Sequence, residues 1–193
     1  MAQLAGDGYK CENISGGTMG TDLDGTSYVR SLGLNASGGY TYSVLFFSGP
    51  CSGNGINGTG DNYMTYSQGG TYTVDGAATG VANATKVSFT ITSASLTVRP
   101  TYTLGGTVRS YADTRCSPLD FDDNAVSTRT VNNVSCIVTP SMSLGSFPQY
   151  GAGIYNIVSN PGNTTLSIGS RMTQWYPGMG GYPTSYSETY LTW

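Results

Sequence analysis

Few side chains in this chain could do chemistry, and the missing ones narrow the choice as much as the present ones. No His occurs among the 193 residues. Ser-His-Asp and Cys-His nucleophilic systems are therefore excluded, as is any zinc site completed by imidazole. Only two lysines occur, Lys10 and Lys86. A Ser–Lys dyad would have to use one of them, and Lys86 falls on the polar side of an alternating segment, where water keeps an ammonium charged. The carboxylates are nine Asp plus Glu12 and Glu188. Glycoside hydrolysis needs two carboxylates facing each other, and none stands in such a setting. Two acidic clusters have the oxygen ligands that Ca²⁺ prefers. Asp22-Leu23-Asp24-Gly25-Thr26 opens like a calcium loop, but no acidic residue completes it at the right distance. Pro118-Leu119-Asp120-Phe121-Asp122-Asp123-Asn124 crowds three carboxylates that a cation would relieve. A solvated turn is the preferred reading of both. The sequence thus predicts no catalytic residue, no metal and no cofactor, and the chain is read as a non-enzyme.

The most suggestive run is Gln174-Trp175-Tyr176-Pro177-Gly178-Met179-Gly180-Gly181-Tyr182-Pro183, with Tyr186 beyond it. It gathers large rings among Gly and Pro, in a stretch that reads as a loop. Exposed Trp and Tyr stack on sugar rings or anchor a protein partner. Two prolines limit the backbone freedom lost on binding, and the glycines permit tight bends. Trp175, Tyr176, Tyr182 and Tyr186 are accordingly the candidate ligand-binding residues. The competing reading turns these rings inward as a plug at one end of the fold.

The four cysteines are Cys11, Cys51, Cys116 and Cys136. None forms a Cys-x-x-Cys pair. An even, widely spaced set reads as two disulfides formed in an oxidising compartment. Three connectivities are open. The shortest loops favour Cys11–Cys51 and Cys116–Cys136, each worth about 3–4 kcal/mol in the chain-entropy model. Asn-x-Ser/Thr sequons stand at Asn13, Asn35, Asn57, Asn83, Asn133 and Asn163. In a chain so rich in Asn, Ser and Thr they assign no host.

Composition agrees with a secreted protein. Charged residues are 10% of the chain, against about 25% in an average domain. Ser, Thr and Tyr take over the surface, as they do on exposed strand faces. The formal net charge is −3, with no basic stripe for phosphates, so nucleic acid is not an expected partner. No apolar run approaches the ~20 residues of a membrane-spanning helix, so membrane insertion is not expected either. Met1 is followed by no signal-peptide pattern, and is read either as a start residue added to a mature domain or as a remnant of recombinant expression. Aromatics at 11% argue against disorder.

The elements that must position these residues repeat with period two. The clearest strand is Lys86–Thr92, with Val87, Phe89 and Ile91 predicted to face the core. Ser95–Val98 repeats the pattern. Ser27–Leu34 alternates around Tyr28, Arg30, Leu32 and Leu34. A turn at 35–39 leads into Tyr40–Ser48, with Tyr40, Tyr42, Val44 and Phe46 on one face. Gly69–Gly76 ends in an Asp-Gly turn signal. Further strands are predicted at Tyr102–Val108, Ser127–Val131, Val134–Val138, Ile154–Val158, Thr165–Ile168 and Ser187–Thr192. Gly49–Gly70 and Arg171–Ser185 read as turn-rich. Helical spacing is nearly absent, and dense Gly disfavours helix. About ten short strands imply an all-β fold, either an antiparallel barrel or a β-sandwich.

The run from Tyr28 to Leu96 resembles small secreted bacterial lipocalin-like β-barrel domains. The shared elements are the strand, the Asn-x-x-Gly-Gly-Tyr turn, and the strand ending in Ser48-Gly49-Pro50-Cys51. Gly70-Thr71-Tyr72-Thr73-Val74 and Ala84-Thr85-Lys86-Val87-Ser88-Phe89-Thr90 follow. Gly153–Val158, Thr165–Gly169 and Glu188–Thr192 look like the closing strands. The resemblance implies a barrel in which an early Cys pairs with the Cys ending the second hairpin strand, matching Cys11 and Cys51. It covers about half of the chain. Tyr102–Tyr150 has no counterpart, so a single domain over 1–193 with an insertion at 101–150 is expected. The functional expectation is a secreted or cell-surface binding domain, periplasm included, for a small molecule, a glycan or a protein surface. The alternative is a self-associating structural subunit of an extracellular fibre, appendage or shell.

Overall fold

A computed structural model describes residues 6–14, 25–99, 112–113, 116, 118–121, 125–132, 136–137, 143–144, 153–159, 165–169, 182–186 and 188–192. Its elements are strands: β1 (Gly6–Asn13), β2 (Ser27–Leu34), β3 (Gly39–Phe47), β4 (Asn62–Ala77), β5 (Thr85–Val98), β6 (Ser127–Thr130), β7 (Cys136–Ile137), β8 (Ser143–Leu144), β9 (Gly153–Ser159), β10 (Thr165–Ile168) and β11 (Glu188–Thr192). β1 to β5 form a meander of antiparallel neighbours. β9 to β11 form a second. β11 pairs back onto β1, and β5 joins the two meanders by pairing with β9 from Thr85↔Val158 to Thr90↔Gly153. The outcome is an all-β, nearly closed antiparallel barrel in a nine-stranded sheet. β6 lies against the far half of β5, from Ser95↔Thr130 to Val98↔Ser127.

β5 keeps apolar residues inward along its whole length because it changes phase once. Val87, Phe89 and Ile91 are fully buried, as the alternation predicts, and so is Leu96, with Ala94 and Val98 nearly so. The first three occupy odd positions and the last three even ones. Strict alternation would put one set in water. The ladder to β4 shows the remedy: Gly69 pairs with Ser93 and Gly70 with Ile91, leaving Thr92 as the extra residue of a bulge. Both halves of β5 therefore face inward. Gly70 is required there. A Cβ on it would lie 1.9 Å from the Thr90 carbonyl oxygen and 3.0 Å from the Tyr40 ring.

Cross-strand partners share a face, so the register lines up the interior. Tyr28, Leu32 and Leu34 of β2 pair with Phe46, Tyr42 and Tyr40 of β3, Phe46 and Val44 with Met64 and Tyr66 of β4, and Met64, Tyr66 and Tyr72 with Val98, Leu96 and Phe89 of β5. Ile154, Val158, Leu166, Ile168 and Tyr190 close the circuit, all buried. Rings fill the middle, with Tyr40 edge-on to Phe89 at 5.0 Å and Tyr72 and Phe89 at 6.1 Å. A barrel of about eight strands is just wide enough for side chains to fill. Three interior polar side chains are bonded in turn. Tyr66 donates to Gln68 Oε1 at 2.7 Å, and Gln68 Nε2 donates to the Tyr40 oxygen at 2.8 Å.

One charge also faces in. Arg30 is 1% exposed, and a buried guanidinium must be paired. Its register partner is Lys10, a like charge that would repel it. Glu12 resolves the conflict by ion-pairing with both Arg30 and, at 3.1 Å, Lys10. Tyr28 donates to Glu12 Oε2 at 2.7 Å, and its ring lies 5.3 Å from the Arg30 guanidinium carbon.

On the outside, residues 48–61 fold back over β1 and β2. Cys11 is bonded to Cys51, Cys11 N–H donates to the Gly55 carbonyl, and Cys51 N–H donates to Asn13 Oδ1. The predicted first disulfide is thus present. Cys116 is buried and disulfide-bonded; the side chain of Cys136, its predicted partner, lies outside the described residues.

Several expectations are corrected. β1 was not among the predicted strands, since its Gly6, Gly8 and Lys10 give no apolar alternation. β4 begins at Asn62, inside the stretch read as turn-rich, because Gly69-Gly70 belongs to a bulge and not a turn. Ser95–Val98 is not a separate strand but the second half of β5. The strand predicted at Tyr102–Val108 lies outside the described residues.

Two measurements check this account. Phe89→Ala should cost about 3–5 kcal/mol in denaturant unfolding, the range for a buried ring; a loss under about 0.5 kcal/mol would contradict its place in the core. Burial pushes the Tyr40 phenol up to about 12, against the opposing bond from Gln68. A raised folded value means stability is intact below pH 10 and is lost as pH rises from 10 toward 12. Tyr40→Phe should lower stability at neutral pH by about 1–3 kcal/mol, since Gln68 loses a partner, yet flatten the alkaline loss. An unchanged alkaline limb would count against Tyr40 as its source.

Candidate functional site

Of the four aromatic residues singled out by the sequence, Trp175 and Tyr176 lie outside the described residues. Tyr182 and Tyr186 are described, and both dock on the β4–β5 hairpin. The hairpin closes through Ala78 N–H to the Ala84 carbonyl at 2.9 Å and Ala84 N–H to the Val81 carbonyl at 3.3 Å. Asn83 takes φ +56° there, a left-handed conformation that Asn tolerates better than most residues. The Tyr186 hydroxyl donates to the Ala82 carbonyl at 3.2 Å.

Tyr182 reaches a second β-bulge. The register passes from Val74↔Val87 to Gly76↔Lys86, so Asp75 is the extra residue and is exposed. Its carboxylate accepts from the Ser88 hydroxyl, from Tyr182 at 2.6 Å and from Thr73 at 3.3 Å. These bonds, led by Ser88 and then Tyr182, hold the Asp75 carboxyl below its ordinary value. Lys86 Nζ stands 5.2 Å from the centre of the Tyr182 ring, a cation–π distance. Ser, Lys, Tyr and Asp together suggest a nucleophilic set, but a carboxylate held ionised is a weak base. The cluster latches residues 182–186 to the hairpin. Both tyrosines are half-buried.

A second feature was not singled out from the sequence. Ser31 pairs with Ser43, Ser43 with Ser67, Ser67 with Ser95, and Ser95 with Thr130. Five strands thus present a row of hydroxyls on the outer face, spaced by the ~4.8 Å strand separation. Thr41, Gly69 and Ser93 form the adjoining row. A groove of about 470 Å³ runs here, lined by Thr41, Ser43, Ser67, Ser93, Ser95 and Thr130 among others. Each hydroxyl both donates and accepts, and no charged residue is among the described residues that line the groove. Alternation places Ser31 and Ser43 opposite their apolar neighbours, whereas Ser67 falls in the stretch read as turn-rich; only the cross-strand register, which period two does not encode, aligns the row.

Both acidic clusters lie partly outside the described residues. Among the described residues no three His, Cys, Asp or Glu side chains gather as a metal site.

The latch has a pH signature. Because Asp75 is lowered on folding, its contribution is present above its ordinary value of 3.8 and is lost as pH falls below it. Tyr182→Phe should raise the Asp75 value in a carboxyl NMR titration and cost less than about 1 kcal/mol, given the exposure. An unmoved titration would remove Tyr182 from the latch. No protein-family model matches this chain, and no curated protein matches it; the nearly closed antiparallel barrel is consistent with a lipocalin-like fold.

Proposed function

We propose that this chain is a secreted or cell-surface, non-catalytic binding domain of lipocalin-like architecture that holds an extended, uncharged glycan on its outer face. The observation that carries the reading is the hydroxyl-lined groove across β3, β4, β5 and β6. Recognition belongs outside because rings and the Tyr66–Gln68–Tyr40 chain occupy the interior. A sugar offers hydroxyls that donate and accept in alternation, as the groove does. Carboxylate or phosphate ligands would call for cations that the groove lining does not supply. Tyr182 contacts Ser88 on the same β4–β5 ribbon as Ser95, roughly 20 Å away at the rise of a strand. Groove and aromatic loop would then form one strip. The disulfide suits an oxidising compartment.

The alternative, a subunit of an extracellular assembly, draws on the same neutral face, which could pack against another copy. A glycan array and polysaccharide co-sedimentation separate the two. The wild-type domain is expected to be retained by a neutral polysaccharide as a monomer. Ser43→Lys with Ser95→Lys should weaken retention about tenfold or more, with Tm within about 2 °C because both sites are on the outer face and β4 separates them. A wild-type chain that binds no glycan and elutes as a large oligomer would replace this reading with the assembly one.

A further inference from the structure

The loop at 48–61 contains two Asn-Gly steps, Asn54-Gly55 and Asn57-Gly58, and the fold treats them differently. We infer that Asn57 is a built-in site of spontaneous deamidation and that Asn54, three residues away, is protected. In an Asn-Gly step the glycine nitrogen attacks the side-chain amide, and glycine leaves that approach unhindered. The Gly58 nitrogen gives its proton to a solvent base and bonds to Asn57 Cγ. The Cγ–Nδ2 bond breaks, and Nδ2 leaves as ammonia after taking up a proton. Water then opens the five-membered imide at either carbonyl, giving aspartate or isoaspartate. The sum is Asn plus water to Asp or isoAsp plus ammonia, with no change of oxidation state.

At Asn54 both reacting groups are held. Gly55 N–H donates to the Ser52 carbonyl at 2.9 Å. Asn54 Oδ1 accepts from Ile56 N–H at 3.1 Å and from the Ser52 hydroxyl, which fixes the side chain in an Asx turn. At Asn57 neither is held. The side chain is exposed, with no hydrogen-bond partner among the described residues. Gly58 forms a bridge with Cys51 in which the flanking residues make the bonds: Ser52 N–H to the Asn57 carbonyl at 2.7 Å and Thr59 N–H to the Pro50 carbonyl at 2.9 Å. The Gly58 N–H is left outside that ladder. The bond onto the Asn57 carbonyl also favours the reaction. It sits on the same peptide unit as the Gly58 nitrogen, so it stabilises the anion formed when that nitrogen loses its proton. The Ser52 hydroxyl, 2.9 Å from the same oxygen, can supply a second bond when its one proton turns that way.

The product would matter locally. A new carboxylate would appear close to the Cys11–Cys51 disulfide. Isoaspartate would add a methylene to the backbone at the Cys51–Gly58 bridge. Gly58 packs closely on the Phe47 ring, with no room for a Cβ, so the change would fall at a crowded position. The Asn57-Gly58-Thr59 sequon would be lost as well.

The experiment is a time course on the oxidised full chain at mildly alkaline pH, with peptide mapping that separates Asn, Asp and isoAsp. The Asn57 peptide is expected to convert about tenfold faster than the Asn54 peptide, the factor for one retained hydrogen bond of about 1.4 kcal/mol. In denaturant the two rates should converge, which assigns the difference to the fold. Ser52→Ala should speed Asn54, and Asn57→Gln should abolish the fast site while leaving Asn54 slow. Equal rates in the folded chain, or a faster Asn54, would overturn the inference.

Discussion

A strand of fixed period turns only one parity of its residues toward a core, and β5 carries apolar residues of both parities along its length. The extra residue at Thr92 meets that constraint. Upstream of it, β5 lies between β4 and β9; downstream, between β4 and β6. Remove the phase change and either Val87, Phe89 and Ile91 or Ala94, Leu96 and Val98 turn to water. Those residues supply the apolar surface against which the Tyr40, Tyr66 and Tyr72 rings pack. The same device sets the outer face, because Ser93 and Ser95 point outward only when the even positions beside them point inward.

This explains what could and could not be read in the chain. Wherever one strand has one polar and one apolar face, period two located it: β2, β3 and the first half of β5 lie where alternation puts them. Even the inward Arg30 was visible, flanked by Tyr28, Leu32 and Leu34 on its own face. Its counter-charge was not. Glu12 sits on β1, whose glycines hide the pattern. Gly69-Gly70 misled for a related reason, since a glycine that admits a neighbouring carbonyl looks in sequence like a glycine that makes a turn. The Cys11–Cys51 pair was legible from spacing, and the fold adds why it forms: residues 48–61 lie across the outer face of β1 and β2.

The candidate site divides the same way. That the aromatic loop would carry a neighbouring anchor was not visible, because Asp75 and Tyr182 are far apart in the chain and meet only through a bulge that aims the carboxylate outward. The hydroxyl row is a property of register. Ser31, Ser43, Ser67, Ser95 and Thr130 are unremarkable one by one, and four cross-strand pairings bring them into line.

The order of pairing around the barrel also bears on how the chain reaches its native state. β1 to β5 are sequence neighbours, so each hairpin closes a short loop and can form early. The closing contacts are of another kind. β5 meets β9 only after the whole 99–152 segment has been passed over, and β1 meets β11 across nearly the entire chain. Loop closure of that length carries an entropy that must be met before the contact gives anything back, and folding slows as such contacts come to dominate. Until β9 arrives, the hairpin end of β5 is a bare edge of alternating apolar residues, the template on which another chain can add. Refolding yield should therefore fall with protein concentration more steeply than the stability of the finished barrel would suggest.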